Sequence, residues 1–410
     1  MKKNPSRARP QLFFVIPVLT LILGGCPEAR DESGDDGPVS VGDAKVAAYI
    51  RTWGIPAEMR EGDSPYWNAA MIRGSLLSDL IIAFALIDQT DGTSVYIPEV
   101  RSGSFQLWDE VAALKEKFPR LRVNFSVGGG SAAGLAGFSP MAADPAKRAA
   151  FAANICGWLE QYNLDGVDVD WEYPVGPPWD NPRHFEDREN YIALLRDLRD
   201  AMDALGGKTG KYYGLSTAVP ASTWFTDAND VRAAAEIADG LKLMAYDYYG
   251  SWSSTTGHNA NLYQNPREPY TSRWSTDQAV QVYLNAGVPP EKIILGVAFY
   301  GQAWRGVPQG NFANTPGLYQ SRTAFVNTIA WSDIKSSYLK SGAGYTRYWD
   351  DTAKAPFLYN GDRWVSYTDH EQIKALTGYV KEKKLGGVFV WEYGHDMETE
   401  LLETLTKNSQ

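Results

Sequence analysis

The sequence predicts an α/β chain: a (β/α)8 barrel with a small α+β insertion between its seventh and eighth strands. Three observations predict it. Eight short apolar runs recur along the chain, helical patterns lie between most of them, and a single gap between runs is too long for a simple crossover. The 410 residues are 44% hydrophobic, enough for one large barrel domain.

The runs are "KVAAYI" (45–50), "DLIIAFAL" (79–86), "LRVNFSV" (121–127), "DGVDVDW" (165–171), "YYGLSTA" (212–218), "LKLMAY" (241–246), "KIILGVAFY" (292–300) and "GGVFVW" (386–391). Their near-continuous Val, Ile and Leu content suits parallel strands covered on both faces. Helical periodicity marks 107–118, 144–162, 187–205, 276–287 and 370–384. Between the seventh and eighth runs, residues 305–368 carry Trp, Tyr, Gly and Asp with short β-like pieces ("YTRYW", "APFLYN", "RWVSY"), read as the insertion. The barrel domain, insertion included, is set at 44–408.

The N-terminus is of a different kind. Lys2, Lys3, Arg7 and Arg9 precede "LFFVIPVLTLIL", an apolar run short for a bilayer span, and then "LGGC". Residues 1–25 read as a lipoprotein-type signal with Cys26 as the lipid-bearing residue; a plain secretory signal is the competing reading. Residues 26–43 are acidic and rich in Gly and Pro, a flexible tether. Cys156, the other cysteine, falls in a helical pattern and reads as a small buried hydrophobe. The formal net charge of -10, without a basic stripe, argues against a nucleic-acid partner. The 14 Trp and 23 Tyr suit either a core or a cleft for sugars, whose apolar faces stack on flat rings.

The fourth run holds the chemistry. In "LDGVDVDWEYP", Asp168, Asp170 and Glu172 alternate with Val169 and Trp171. Strand alternation aims the three acids into the bore, near the C-terminal mouth where barrel enzymes work, and turns Val167, Val169, Trp171 and Tyr173 the other way. Crowded carboxylates cannot all ionise cheaply, so at least one pKa rises. Glu172, nearest the rim, is then the natural proton donor to a substrate. A hard-metal site or a purely structural cluster would also use acids. No EF-hand or H-E-x-x-H pattern accompanies them. The glycines of "VGGGSAAG" lack the Lys-Ser of a phosphate loop.

"DGVDVDWEYP" resembles the signature of glycoside hydrolase family 18, the chitinase family, at every acid. "SVGG" (Ser126, Gly128, Gly129), "MAYDYYG" (Met244, Tyr246, Asp247, Tyr248), "GVAFYG" and "GGVFVWEYGHD" resemble further family motifs, in order, over roughly residues 45–405. The resemblance implies hydrolysis of β-1,4 links between N-acetylglucosamine units in chitin or chito-oligosaccharides. It implies a retaining reaction in which the substrate's own acetamido oxygen is the nucleophile and an oxazolinium ion forms. Glu172 would be acid and then base. Asp170 would orient the acetamide, and Asp168 would stand behind it, taking or sharing its proton, with Tyr49 and Ser126 as donors to the pair. Tyr246 would hold the acetamido oxygen, Asp247 the same sugar, and Trp391 would be the floor. Phe84, Gly128, Gly129, Gly130, Tyr173 and Met244 would line the sugar path. Trp53 is either a distal sugar platform or a surface residue. Cis peptides are implied at Ala83–Phe84, Glu172–Tyr173 and Trp391–Glu392.

No cofactor or metal ion is implied, and a monomer is expected. The expected place is a bacterial cell envelope, lipid-anchored at the outer membrane or cell surface, or else secreted. A non-catalytic chitin-binding lectin and an endo-β-N-acetylglucosaminidase acting on N-glycans are the competing functions. Three positions depart from the family pattern: Gly130 where an aromatic is common, Gln302 where an Arg is common, and "YTDH" (Tyr367 to His370) near the end of the insertion.

Overall fold

The computed structural model describes residues 45–54, 66–180, 183–269 and 275–409. Cys26, the leader 1–25 and the tether 26–43 lie outside the described residues. Among the described residues no helix is long and apolar enough to cross a membrane.

Eight parallel strands form the barrel: β1 (Lys45–Arg51), β2 (Asp79–Ile87), then, after the short antiparallel β3 (Val95–Tyr96), β4 (Arg122–Gly128), β5 (Gly166–Asp170), β6 (Gly214–Pro220), β7 (Gly240–Met244), β8 (Ile293–Ala298) and the last strand, β14 (Gly387–Trp391). β1 pairs with β14 on one side (Lys45↔Gly387, Ala48↔Val390) and β2 on the other (Ala47↔Asp79), so the sheet closes and leaves no barrel edge. Strand residues such as Val123, Phe125, Val167, Leu241 and Leu295 are buried beneath the helices. The bore holds a second apolar group: Ala47, Tyr49, Ile81, Ala83, Ile294 and Phe389.

The five long crossover helices coincide with the sequence's helical patterns: Leu107–Lys117, Pro145–Gln161, Asp187–Thr209, Thr276–Asn285 and His370–Lys383. Three of the five starts have a capping side chain. Asp144 Oδ1 accepts the amides of Ala146 and Lys147 at 2.8 and 3.3 Å, and Pro145 occupies the first turn, where no amide is needed. Asp369 and Ser275 cap their helices in the same way.

The insertion is a five-stranded antiparallel sheet in the order β10-β9-β13-β12-β11, built from β9 (Tyr300–Arg305), β10 (Ala324–Ala330), β11 (Thr346–Asp350), β12 (Ala355–Tyr359) and β13 (Trp364–Ser366). It starts at Tyr300, five residues before the expected boundary at 305. The run 292–300, read as one strand, is two. At Phe299 the amide bonds Trp391 O of the barrel while the carbonyl takes the amide of Trp331, so the chain changes sheets at that residue. β10 ("AFVNTIA"), in which adjacent Asn327 and Thr328 interrupt the apolar residues, lies outside the β-like pieces expected of the insertion. Trp304, Phe357 and Trp364 make the insertion's apolar centre.

Candidate active site

The site assembles at the C-terminal ends of the barrel strands, beginning with Asp168. Its side chain is fully buried, and each oxygen accepts two hydrogen bonds. Tyr49 Oη and Ser126 Oγ donate to Oδ2 at 2.7 and 2.8 Å; Ser216 Oγ and Lys242 Nζ donate to Oδ1 at 2.7 and 2.8 Å. Burial opposes the charge of Asp168. The Lys242 ammonium and these donors outweigh burial and hold the carboxyl below its usual range. Tyr49 and Ser126 were expected. Ser216 and Lys242 were missed, although Lys242, Met244 and Tyr246 share one strand parity, so a cation inside "LKLMAY" was the available signal.

Asp170 sits one pleat nearer the mouth and is also buried. Its Oδ1 has no hydrogen-bond partner among the described residues. Burial, then the charges of Glu172 and Asp168, push its pKa well above the carboxylate range. Glu172 is half-buried. Burial raises its pKa, a hydrogen bond from Tyr173 opposes this, and the nearby Asp247 adds to it. Both groups therefore favour keeping their protons.

The strand alternation that placed the acids ends at Asp170, the last residue of β5. Trp171 still turns outward, stacking on Phe138 with ring centres 5.1 Å apart. Tyr173 does not follow the alternation. Beyond β5 the chain leaves the ladder, the Glu172–Tyr173 peptide is cis, and the Tyr173 phenol bonds Glu172. Its ring meets Trp224 and Phe225 edge-on. The peptides Ala83–Phe84 and Trp391–Glu392 are cis as well.

The three glycines after β4 allow close approach. At Gly128, φ is +122° and a Cβ would stand 2.0 Å from the Asp170 carbonyl oxygen. A Cβ on Gly129 would stand 2.7 Å from the Phe84 ring, and one on Gly130 3.0 Å from Glu172 Oε1. Gly130 thus sits against the acid itself. An apolar wall faces it. Phe84 and Trp391 stack at 5.6 Å and 16°, and Trp53, 39% exposed, stacks on Phe84 at 6.1 Å. Trp53 is part of this wall rather than an isolated surface ring. A cavity of about 490 Å³ runs along Trp53, Phe84, Glu99 and Gly128 to Ser131.

From β7, Met244 and Tyr246 are half-buried at the mouth. Burial and the surrounding carboxylates raise the Tyr246 pKa well above 10, so its hydroxyl is a neutral donor. Asp247 is open to the cleft. Tyr300 Oη and Gln302 Nε2 donate to its Oδ1 at 2.8 and 3.1 Å, so Gln302, the departure from the common Arg, keeps contact without a charge. Asp247, which follows β7, acts on Glu172 from across the cleft and adds to the rise of its pKa. At the barrel's other end, Asp165 bonds Lys115, Lys211 and the Val123 amide and takes no part in the cleft. Among the described residues no group of three or more His, Cys, Asp or Glu is arranged to hold a metal ion.

Residues 45–396 match the family model described as glycosyl hydrolases family 18. The chain belongs to glycosyl hydrolase family 18. Family relatives include chitinase A1 of Niallia circulans, 38% identical over 322 residues, covering 73% of this chain and 45% of that protein. Mouse chitotriosidase-1 is 31% identical over 364 residues, covering 85% and 72%. A solved Bacillus thuringiensis chitinase, ChiA74, superposes with a TM-score of 0.79 at 29% identity, covering 89% of this chain and 69% of that one. A family 18 N-acetylglucosaminidase from Paenibacillus barengoltzii gives 0.76 at 31% identity, covering 89% and 100%. This family 18 chain spans about half the length of the first curated relatives it matches (45% and 55%).

Proposed function

We propose that the chain hydrolyses β-1,4 links between N-acetylglucosamine units of chitin and chito-oligosaccharides, with retention and by participation of the substrate's acetamido group. The observation that carries this reading is the Asp170–Glu172 pair at the barrel mouth, the first buried and the second half-buried, both carboxyls biased toward the protonated state, facing a wall of stacked aromatic rings. Glu172 gives its proton to the leaving oxygen and then takes one from water. Asp170, whose buried Oδ1 has no partner among the described residues, accepts the acetamide N–H; once Glu172 has given up its proton the two carboxyls share the one that remains, and their net negative charge balances the positive charge that develops on the ring nitrogen. Tyr246 donates to the acetamido oxygen and fixes its line of attack. Trp391 and Phe84 stack beneath the sugar. Among the described residues Asp247 is the other acid whose charge acts on Glu172. Two donors already occupy one of its oxygens, which suits it to grip a sugar hydroxyl more than to attack carbon.

The test is product analysis by NMR on a chito-oligosaccharide, beside a glycoprotein bearing N-glycans. The proposal expects cleavage of the first, initial release of the β-anomer and inhibition by a thiazoline analogue of the intermediate. An initial α-anomer refutes retention; a thiazoline-insensitive retaining reaction transfers the nucleophile's role to Asp247. Cleavage of the glycoprotein alone supports the N-glycan reading.

We propose further that Cys26 carries lipid and tethers the barrel to the cell envelope. A Cys26→Ala chain should leave the detergent-extracted fraction, or stay unprocessed, with unchanged specific activity in the soluble domain. A mature wild-type chain that starts elsewhere and partitions into buffer would overturn the anchor.

A further inference from the structure

We infer that Lys242 is a positioning residue for the acid triad: its ammonium keeps Asp168 ionised, so that the protons of the site reside on Asp170 and Glu172. This rests on the hydrolytic reading above and deepens it.

Lys242 is 5% exposed, on β7, and points into the bore. Its Nζ lies 2.8 Å from Asp168 Oδ1, touches Ser216 Oγ, and stands 5.6 Å over the Tyr49 ring. Among the described residues Asp168 is its only ion-pair partner. An ammonium buried this deeply is sustained by a nearby anion, and the anion by it.

The hydrogen-bond count supports the assignment. A carboxylate has about four acceptor positions, and Asp168 fills four with donors. To receive a proton from Asp170 it must first release one of these partners. The simple relay in which Asp168 takes or shares that proton is therefore blocked while these four donors stay in place. The charged and titratable groups around the pair explain why Lys242 governs it. Tyr49 faces it from β1, Tyr246 from β7, Tyr191 from the helix Asp187–Thr209, and Asp170 and Glu172 from its own segment; Ser126 and Ser216 are neutral. All three tyrosines are held neutral by burial and by the carboxylates. Lys242 is the single cation among these groups. Without it, Asp168 and Asp170 would share one more proton between them, and the group meant to balance an oxazolinium charge would ionise with more difficulty.

The sign of the effect follows. Lys242 lowers the pKa of both Asp168 and Asp170. Removing its charge raises both, so the acid limb of the kcat/KM profile must move to higher pH. In Lys242→Met the limb should rise by about one pH unit or more, and below it activity should fall at least about tenfold relative to wild type. Lys242→Arg, which keeps the charge, should hold the limb within a few tenths of a unit. A uniform loss in Lys242→Met with the limb unmoved overturns the inference and leaves Lys242 a packing residue.

Thermal unfolding of Lys242→Met and of the double variant Lys242→Met/Asp168→Asn supplies a second arm. The inference expects the single variant to be the less stable, even insoluble, and the double to regain at least half the lost Tm or to be soluble, because no unpaired charge remains in the bore. Equal destabilisation of both overturns it. A wild-type chain that turns over no chito-oligosaccharide refutes the hydrolytic reading instead, while this unfolding arm still decides the pairing.

Discussion

Gly128→Ala isolates one steric requirement of the site. The new methyl would meet the Asp170 carbonyl oxygen at 2.0 Å, far inside contact distance, in a backbone at φ +122° that L-residues rarely adopt. That conformation alone costs about 1–3 kcal/mol. The clashing atom is backbone of β5, paired with β4 in register (Gly128↔Asp170), so relief requires the two strands to part where the acids sit. The expected loss is at least about 3 kcal/mol, hence a Tm fall of roughly 5 °C or more for a domain of this size. A shift of Asp170 by about 1 Å should also lower kcat about 100-fold. Gly378→Ala is the matched control. That position is exposed, in the helix His370–Lys383, and a Cβ there meets nothing within 4 Å. Alanine in a helix interior should gain about 0.5–1 kcal/mol. Calorimetry and initial rates on a short chito-oligosaccharide measure both variants. The steric account fails if Gly128→Ala melts within 1 °C of wild type and keeps half its kcat.

Glu172→Gln should reduce kcat by at least about 1000-fold while binding of chito-oligosaccharide by calorimetry stays within a few-fold, since volume is kept and the transferable proton is lost; a tenth of wild-type kcat would remove Glu172 from the acid's role. Tyr246→Phe should lower kcat about 10- to 100-fold with a smaller change in KM, because the hydroxyl acts on the attacking oxygen; an unchanged kcat contradicts that role. Asp165→Asn should cost about 2 kcal/mol at pH 7. Burial opposes the Asp165 charge, but hydrogen bonds from Lys115 and Lys211 hold its pKa below the ordinary value. Its contribution is therefore complete above the unfolded value of about 3.9 and lost as pH falls through the folded one. The stability gap between wild type and variant should shrink on acidification below pH 4, and a gap constant down to pH 2 would contradict the pairing.

The barrel was legible because each strand is a short apolar run and each long helix carries its own period, three of them with a capping side chain as well. Asp168, Asp170 and the outward Trp171 followed from alternation along a single strand. Legibility ended where the ladder ends. Tyr173 lies beyond β5, so a two-residue period could not place it. β10 was hidden because Phe325-Val326 and Asn327-Thr328 stand as like neighbours, without a two-residue alternation, and much of the strand is exposed; the insertion's start was hidden because β8 and β9 run on through Phe299 without a turn residue. Asp247's approach to Glu172 and Lys242's to Asp168 join strands far apart in sequence, and a one-strand reading does not measure such distances. Lys242 alone left a mark in the sequence, as a lone cation in an apolar run.

The pairing of β1 with β14 has a consequence in time. Arg51 ends the first strand and Gly387 begins the last, 387 - 51 = 336 residues later. At about 5–20 residues per second of synthesis, roughly 20 to 70 s separate the two. During that interval the first strand can bind only β2, and its other side stays an unpaired edge. Closure thus waits for the last strand, and it brings Arg51 onto Glu392 (3.0 Å) at the same moment that it delivers Trp391 beside Tyr49 and Phe84. The aromatic floor does not exist in any shorter nascent chain. A half-made barrel has its acids but no surface on which a sugar could lie.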